Sequence, residues 1–285
     1  MGGKLFRHFS LFSASLSFLL LVGIFSVLFT YAQESMHTFG FDFLLTDIWE
    51  PGEDDEGGVF GGYIPMIGTL FSTLIAMVLA TPLAMGIAIF LTEIASEKVA
   101  KPVSVAIELL AAIPSIIYGM WGLFYFAPIV QSVFGGNGVG LLTAGIVLAI
   151  MIVPFMASIT RDAMHTTPPV LKESAYAMGA TKFEVIKDVI MPYAKGGIIG
   201  SVILALGRAL GETMAVAFLI GSVMTTASRV TDPTTSIPVL LANNFAEAED
   251  LELSSMYFLA LILFVVSFVL ISLAKFYFLG SEEKR

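Results

Sequence analysis

Hydrophobic residues along this chain fall into six long blocks separated by polar segments. The blocks lie at roughly residues 11–31, 64–91, 103–128, 139–159, 198–220 and 255–279. Each is about 20 residues or longer, the length that a helix needs to cross the hydrocarbon core of a bilayer. The alternating segments of about ten residues that are typical of membrane β-barrels do not occur in the sequence. The pattern therefore predicts an all-α integral membrane protein with six transmembrane helices.

Composition supports this prediction and argues against several kinds of chemistry. The chain is 57% hydrophobic and 13% charged, whereas soluble domains contain roughly a quarter charged residues. It has no cysteine, and its three histidines, His8, His37 and His165, fall on both predicted faces of the membrane. The sequence contains no nucleotide-binding glycine loop and no nucleophile elbow. We therefore expect no enzymatic activity, no cofactor, no metal site and no nucleic-acid partner.

Lysine and arginine residues predict the orientation in the membrane. With a cytoplasmic N-terminus, 12 of the 14 basic residues lie in cytoplasmic segments, while Arg229 lies outside and Arg208 lies within a span. Cytoplasmic loops are enriched in Lys and Arg, so we expect both termini in the cytoplasm. The first block exceeds the apolar core of a signal peptide, which favours an uncleaved anchor. We divide the chain into residues 1–63, an anchor helix with an outside loop, and residues 64–285, a five-helix core.

The predicted outside loops are strongly acidic. Residues 32–63, 129–138 and 221–254 together hold 13 acidic residues and one basic residue. The run EDDEGG in the first loop lacks the alternating oxygen ligands of a calcium-binding loop. We therefore expect solvated polar loops on this face.

The longest cytoplasmic segment, residues 160–197, carries the signals of ordered structure. Apolar residues recur at helical spacing in its middle and are followed by Gly179. A second helical run, 181–191, ends before a proline, and Thr181 with Glu184 matches a capping box. These features predict two short helices joined at a glycine. The segment either packs beneath the membrane or docks a cytoplasmic partner.

Charged residues also fall inside the predicted spans. On a helix with 100° per residue, Ser201, Arg208 and Glu212 share one narrow face flanked by glycine and alanine. A lone charge at mid-membrane is costly, so we expect Glu212 to pair with Arg208 one turn earlier. The pair either locks its helix to neighbouring helices or presents the guanidinium to a substrate. Glu108, near the cytoplasmic end of its span, is expected to balance Arg208 or to pair with a cytoplasmic lysine.

The cytoplasmic segment resembles the EAA loop of ABC-importer permeases. The residues that match that loop in type and spacing are Glu173, Ala175, Gly179, Ala180 and Pro192. The departures, all mild changes in size, are Ser174, Val189 and Met191. Two further runs, IELLAAIPSIIYGMWGLF at 107–124 and GRALGETMAVAFLIG at 207–221, resemble the PstC-type permeases of phosphate-specific ABC importers. The similarity covers about residues 60–275.

This resemblance implies a type I ABC-importer fold and a pore-forming subunit that moves inorganic phosphate across the cell inner membrane. The implied protein partners are a PstA-type second permease in a heterodimer, two copies of a PstB-type cytoplasmic ATPase and an outside PstS-type phosphate-binding protein. Membrane lipid would surround the spans. The matched loop residues would couple to the ATPase. Arg208, with Glu212 and Glu108, would line the substrate pathway, because a guanidinium fork suits phosphate oxygens.

Three other hypotheses remain open on the sequence. The chain could belong to an ABC permease for another oxyanion, such as sulfate or molybdate. It could be an ion-coupled secondary transporter with its intramembrane charges as a proton relay, although its six spans show no inverted repeat. It could also be a structural or signalling subunit that transports nothing.

Overall fold

The computed structural model describes residues 2–52 and 58–279, and that part of the chain is mostly helical. The helices are α1 (Gly2–Phe39), α2 (Tyr63–Ile89), α3 (Glu97–Ala111), α4 (Ser115–Trp121), α5 (Ala127–Phe134), α6 (Leu141–His165), α7 (Pro169–Ala177), α8 (Lys182–Glu184), α9 (Met191–Leu210), α10 (Met214–Leu219), α11 (Ile237–Asn244) and α12 (Asp250–Leu279). Segments of π-helix span Phe90–Ile94, Gly122–Phe126 and Val185–Ile190, and a 3-10 helix spans Gly40–Leu44. Two short strands, β1 (Trp49–Glu50) and β2 (Val59–Phe60), pair antiparallel.

Six helical stretches in the described residues are long and apolar enough to cross a membrane, which confirms the prediction from the hydrophobic blocks. They are Leu5–Leu44, Tyr63–Ile94, Ser115–Phe134, Leu141–His165, Lys182–Leu210 and Asp250–Phe276. The third stretch begins at Ser115, not near residue 103, and the fifth ends at Leu210, not near residue 220. Both differences come from helix breaks that apolar length alone does not reveal.

The third hydrophobic block is divided at Pro114. Helix α3 ends at Ala111, and the backbone of Pro114 leaves the helical region (φ −56°, ψ 136°) before α4 begins. Proline lacks an N–H and disfavours the helical conformation in the residue before it. Helix α3 is therefore separate from the span that follows. The Tyr118 hydroxyl bridges the break by donating to the Leu110 carbonyl (2.9 Å).

One compact unit comprises Met1–Tyr63 and Leu240–Val266. In this unit the Phe43 ring lies 4.5 Å from the Phe258 ring, centre to centre, and the Trp49 ring lies 5.0 Å from that of Phe60. The Trp49 indole N–H donates to Glu252 (3.1 Å). The described part of the first acidic loop is therefore folded against α12, because its aromatic side chains bury large apolar areas. Residues 53–57, which hold most of the EDDEGG run, lie outside the described residues.

The second compact unit comprises Ile64–Val239 and Ser267–Arg285. Its central helix is α6, which packs against α3, α4, α9 and α10. Helix α2 presents a fully buried alanine at every fourth position: Ala76, Ala80, Ala84 and Ala88. Small residues let helices approach closely within a membrane. Gly145 of α6 serves the same purpose, because a Cβ atom there would lie 2.6 Å from the Cγ2 atom of Ile75.

The segment that follows α10 is partly buried, whereas the pattern predicted a polar outside loop over 221–254. Its buried polar residues are Thr234, Thr235 and Ser236. The Leu142 N–H donates to the Val230 carbonyl (2.7 Å), and the Ile237 N–H donates to the Thr69 hydroxyl (2.9 Å). The segment thus pairs with backbone and side-chain groups near the starts of α2 and α6. This polar sequence can be buried here because backbone groups of the segment are hydrogen-bonded within the protein. The hydroxyl of Ser236 has no partner among the described residues.

Candidate functional site

Arg208 lies in the last turn of α9 and faces α6. Its guanidinium carbon lies 5.5 Å from the centre of the Phe155 ring, a cation–π distance. The Nε atom is buried and has no hydrogen-bond partner among the residues that the structure describes. A half-buried guanidinium with an unused donor is a suitable group to receive an anion.

The predicted pair between Arg208 and Glu212 does not form, because the helix that was to carry both residues is broken. Helix α9 ends at Leu210, and Gly211 leaves the helical region (φ −97°, ψ 5°). Glu212 then accepts a hydrogen bond from the Ala215 N–H (3.2 Å) at the start of α10. The structure describes the side chains of both Arg208 and Glu212, and no ion pair joins them. A carboxylate at a helix start accepts hydrogen bonds from free N–H groups and interacts favourably with the helix dipole. Glu212 plays this role at the start of α10.

The narrow face of α9 that the sequence predicted does pack against a neighbouring helix. Ser201 is fully buried and shares a hydrogen bond with Thr160 of α6 (2.8 Å). Ala205, one turn further along, is also fully buried, and Arg208 continues the same face toward Phe155. Close packing through small residues therefore brings the arginine against the centre of the unit.

Glu108 lies on α3, before the break at Pro114, and so outside the third apolar stretch, in which the sequence pattern had placed it. Its side chain is exposed. Its partner is Arg161 of α6 (3.0 Å), which also contacts Asp162 (2.8 Å). Glu108 thus pairs with a basic residue, an arginine where a lysine was expected. Glu108 and Arg208 share no contact in the described structure.

An apolar cavity of about 560 Å³ lies among α2, α3, α4 and α6. Its walls include Leu79, Leu83, Ile107, Ile150 and the ring of Tyr118. An anion placed there would lose its hydration and gain almost no donors in return. This cavity is therefore not a site for an oxyanion.

The segment 160–197 forms the two short helices that its sequence predicted. Helix α7 ends at Ala177, and Gly179 adopts φ +89°, a conformation that favours glycine. Thr181 and Glu184 form the predicted capping box: the Thr181 N–H donates to the Glu184 carboxylate (2.7 Å), and the Glu184 N–H donates to the Thr181 hydroxyl (3.4 Å).

The second helix does not end at Pro192, where the sequence analysis ended it. The chain continues through the π-helix Val185–Ile190 directly into α9, with Pro192 in the first turn. Pro192 therefore lies within a continuous helix, and the π-helix directly before it is the kind of local adjustment that accommodates a proline there. The segment 160–197 is thus continuous with the helix that carries Arg208.

The same segment presents an apolar surface, which we call the α7–α8 surface. Its exposed apolar side chains are Val170, Leu171, Tyr176, Met178 and Phe183. The side chains of Met178 and Phe183 are 89% and 71% exposed. A cavity of about 410 Å³ beside them is lined by Ala175, Gly179 and Ala180 together with Glu184 and Asp188. Contiguous exposed apolar groups rimmed by charges mark interaction sites.

The matched loop residues divide between this surface and the interior. Glu173, Gly179 and Pro192 are exposed. Ala175 and Ala180 are half-buried against a cluster that includes Met164 and Ile190. Small side chains at these two positions allow the segment to lie close to the ends of α2, α6 and α9.

One ion pair in this region was missed in the sequence analysis. Lys172 of α7 contacts Glu93, in the π-helix that continues α2 (2.5 Å). The only sequence signal was an acidic residue at the end of a predicted span, which does not identify its partner.

Comparisons with known proteins agree with this architecture. The family model described as "Binding-protein-dependent transport system inner membrane component" matches residues 80–278. The phosphate transport system permease protein PstC of Pasteurella multocida is 44% identical, over 98% of this chain and 92% of that protein. The protein of the same name from Haemophilus influenzae is 45% identical, over 95% and 91%. The chain belongs to this family and to its PstC group. It is a multi-pass inner-membrane transport component.

More distant relatives and solved structures support the same fold. A probable PstC protein of Methanocaldococcus jannaschii is 35% identical, over 88% of this chain and 86% of that protein. An inward-facing structure of the MetNI methionine ABC transporter superimposes with a TM-score of 0.60 at 21% identity, covering 74% of this chain and 90% of that one. At that identity the likeness shows the fold alone, which is the ABC-importer permease fold expected from the sequence.

Proposed function

We propose that the chain is a pore-forming permease subunit of an ATP-driven importer that carries inorganic phosphate into the cytoplasm. The observation that carries this proposal is the 44% identity to a phosphate transport system permease over 98% of the chain. The chain itself supplies the pathway, and a separate ATPase supplies the energy. The half-buried Arg208 and the α7–α8 surface are the two features that such a subunit requires.

Arg208 is the proposed contact for phosphate within the membrane. Its guanidinium is held over Phe155 and keeps an unused donor at Nε. The planar guanidinium fork can donate two parallel bonds to phosphate oxygens. Glu212 fixes the backbone beyond it by capping α10. Glu108, which is bound to Arg161, contributes to the cytoplasmic end of the subunit and not to the anion contact.

The α7–α8 surface is the proposed dock for the ATPase. Its apolar side chains are exposed beside a cavity with acidic groups at its edge. Burial of such side chains against a partner removes apolar area from water. A PstA-type permease, two PstB-type ATPase copies and a PstS-type binding protein complete the proposed assembly. Purification of the tagged chain from native membranes tests it: these partners are expected, whereas a chain that purifies alone would refute the proposal.

The proposed orientation has both termini and the α7–α8 surface in the cytoplasm. Because the chain has no native cysteine, single cysteines report sidedness directly. An impermeant thiol reagent applied to intact cells is expected to label Ser228→Cys and Glu249→Cys but not Lys182→Cys. All three should label after the membrane is opened, which serves as the control. Labelling of Lys182→Cys in intact cells would reverse the orientation.

A further inference from the structure

A largely buried ion pair connects the α7–α8 surface to a membrane-spanning helix. The Nζ atom of Lys172 lies 2.5 Å from Oε1 of Glu93. The side chains of Glu93 and Lys172 are only 9% and 22% exposed. Surface ion pairs contribute little because water and salt screen them. In a pair with so little water around it, loss of one partner leaves an uncompensated buried charge, so separation of the two side chains is costly.

Helix α7 has few other ties to the rest of the protein. None of its nine residues is buried. Ala175 is half-buried against the neighbouring apolar cluster, and α7 also packs on the π-helix Val185–Ile190. Among the contacts that the structure describes, Lys172 makes the one ion pair from α7. A helix that is exposed on most of its surface can move with a docked partner, and this pair connects α7 to the extension of α2.

Glu93, the other residue of the pair, lies on the well-packed extension of α2. Glu93 lies in the π-helix Phe90–Ile94, where Leu91 is buried and the Thr92 hydroxyl donates to the Ala88 carbonyl (2.9 Å). That helix continues α2, whose buried alanines pack in the core of the unit. Segments of π-helix occur frequently at functional positions. A displacement of Glu93 would therefore be carried into a helix that spans the membrane.

We propose that the Lys172–Glu93 pair transmits movement of the docked ATPase to α2 and so couples ATP hydrolysis to opening of the phosphate pathway. Lys172 and Glu93 are positioning residues in this role, because they touch neither phosphate nor nucleotide. The proposal rests on the proposed function, since it requires an ATPase bound at the α7–α8 surface. The physical basis is a contact between two helices: Lys172 lies on an exposed helix, and Glu93 lies on the extension of a helix that is packed in the core.

The test compares coupling with assembly in proteoliposomes that contain the purified complex, ATP and the phosphate-binding protein. In the Lys172→Met and Glu93→Gln variants the ATPase should remain bound. Phosphate taken up per ATP hydrolysed should fall by about fivefold or more, the lower end of typical coupling energies. The matched control is the exposed pair of Glu97 and Lys101, which are 86% and 77% exposed and 3.6 Å apart. Lys101→Met should leave the ratio unchanged.

A cross-linking experiment decides the question even if a single substitution prevents assembly. Cysteines at positions 93 and 172 are joined in the assembled complex by a short bifunctional thiol reagent. If the Lys172–Glu93 pair stays intact throughout the transport cycle, the cross-linked complex should keep most of its phosphate uptake per ATP.

Two results would overturn the proposed link. One is an unchanged uptake per ATP in an assembled Lys172→Met or Glu93→Gln complex, and the other is a complete block by the cross-link. Failure of the proposed function is a separate result, because the unmodified chain would then retain no ATPase.

Discussion

Replacement of Arg208 by lysine is expected to lower phosphate uptake per assembled complex by about tenfold or more, since hydrogen bonds to charged groups contribute roughly 1.5–3 kcal/mol. Lysine keeps the positive charge but loses the planar fork that can donate two parallel bonds to phosphate. It also loses the stacking of the guanidinium on Phe155. The amount of complex in the membrane should change little, because Arg208 makes no ion pair with any residue that the structure describes. Uptake is therefore measured per complex.

Arg161 and Glu212 provide controls for this prediction. Arg161→Lys preserves a charge beside Glu108 and Asp162, whose side chains are 54% and 65% exposed, so uptake per complex should stay within about twofold. Glu212→Gln keeps an oxygen that can accept from the Ala215 N–H, so it should affect uptake much less than Arg208→Lys. Normal uptake in the Arg208→Lys complex would show that the arginine only packs against α6.

Replacement of Gly179 by leucine is expected to release the ATPase from the complex. Gly179 has φ +89°, and a residue with a side chain in such a conformation costs about 1–3 kcal/mol. The space around its Cα is open, with no atom within 4 Å of a Cβ built there. The cost is therefore backbone strain at the turn between α7 and α8, together with a bulky group on the α7–α8 surface. Recovery of the ATPase with the tagged chain measures the effect.

Gly40 offers a matched control, because it has the same kind of backbone and the same open surroundings. Its φ is +53°, and no atom lies within 4 Å of its Cβ position. Gly40→Leu also places a side chain on a backbone with positive φ. Gly40 is far from the α7–α8 surface in sequence and belongs to the other compact unit. It should keep the ATPase. Equal recovery of the ATPase with both variants would mean that the turn at Gly179 takes no part in docking.

The membrane spans and the short helices α7 and α8 could be predicted because their signals are local. Apolar length determines which segments prefer lipid, and the Thr181–Glu184 capping box lies within four residues of chain. Gly179 likewise indicated a turn that the backbone confirms. Local signals gave the wrong prediction for Glu212, which was expected to pair with Arg208. An acidic residue four positions after an arginine is compatible both with a continuous helix and with the start of a new helix. Gly211 was the signal for the second alternative.

Contacts between distant segments could not be predicted from the sequence. Lys172 and Glu93 are 79 residues apart, and many acidic residues were available to each lysine. The segment around Thr234 and Ser236 is held by hydrogen bonds that its neighbours Val230 and Ile237 make with the starts of α6 and α2, which a polarity pattern does not encode. Glu108 lies on α3 and not on the following span, because one proline, Pro114, separates the two helices. Tertiary partners, and not local propensity, determine each of these features.

Uptake of labelled phosphate into proteoliposomes is the measurement that tests the central claim most directly. The vesicles contain the chain with its co-purified partners, and the binding protein is supplied on the opposite side from the ATPase. We expect uptake that requires ATP on the ATPase side, persists when a proton ionophore is added, and is competed by unlabelled phosphate but not by sulfate. Uptake driven by a proton gradient without ATP, or equal competition by sulfate, would contradict the assignment of the chain to an ATP-driven phosphate importer.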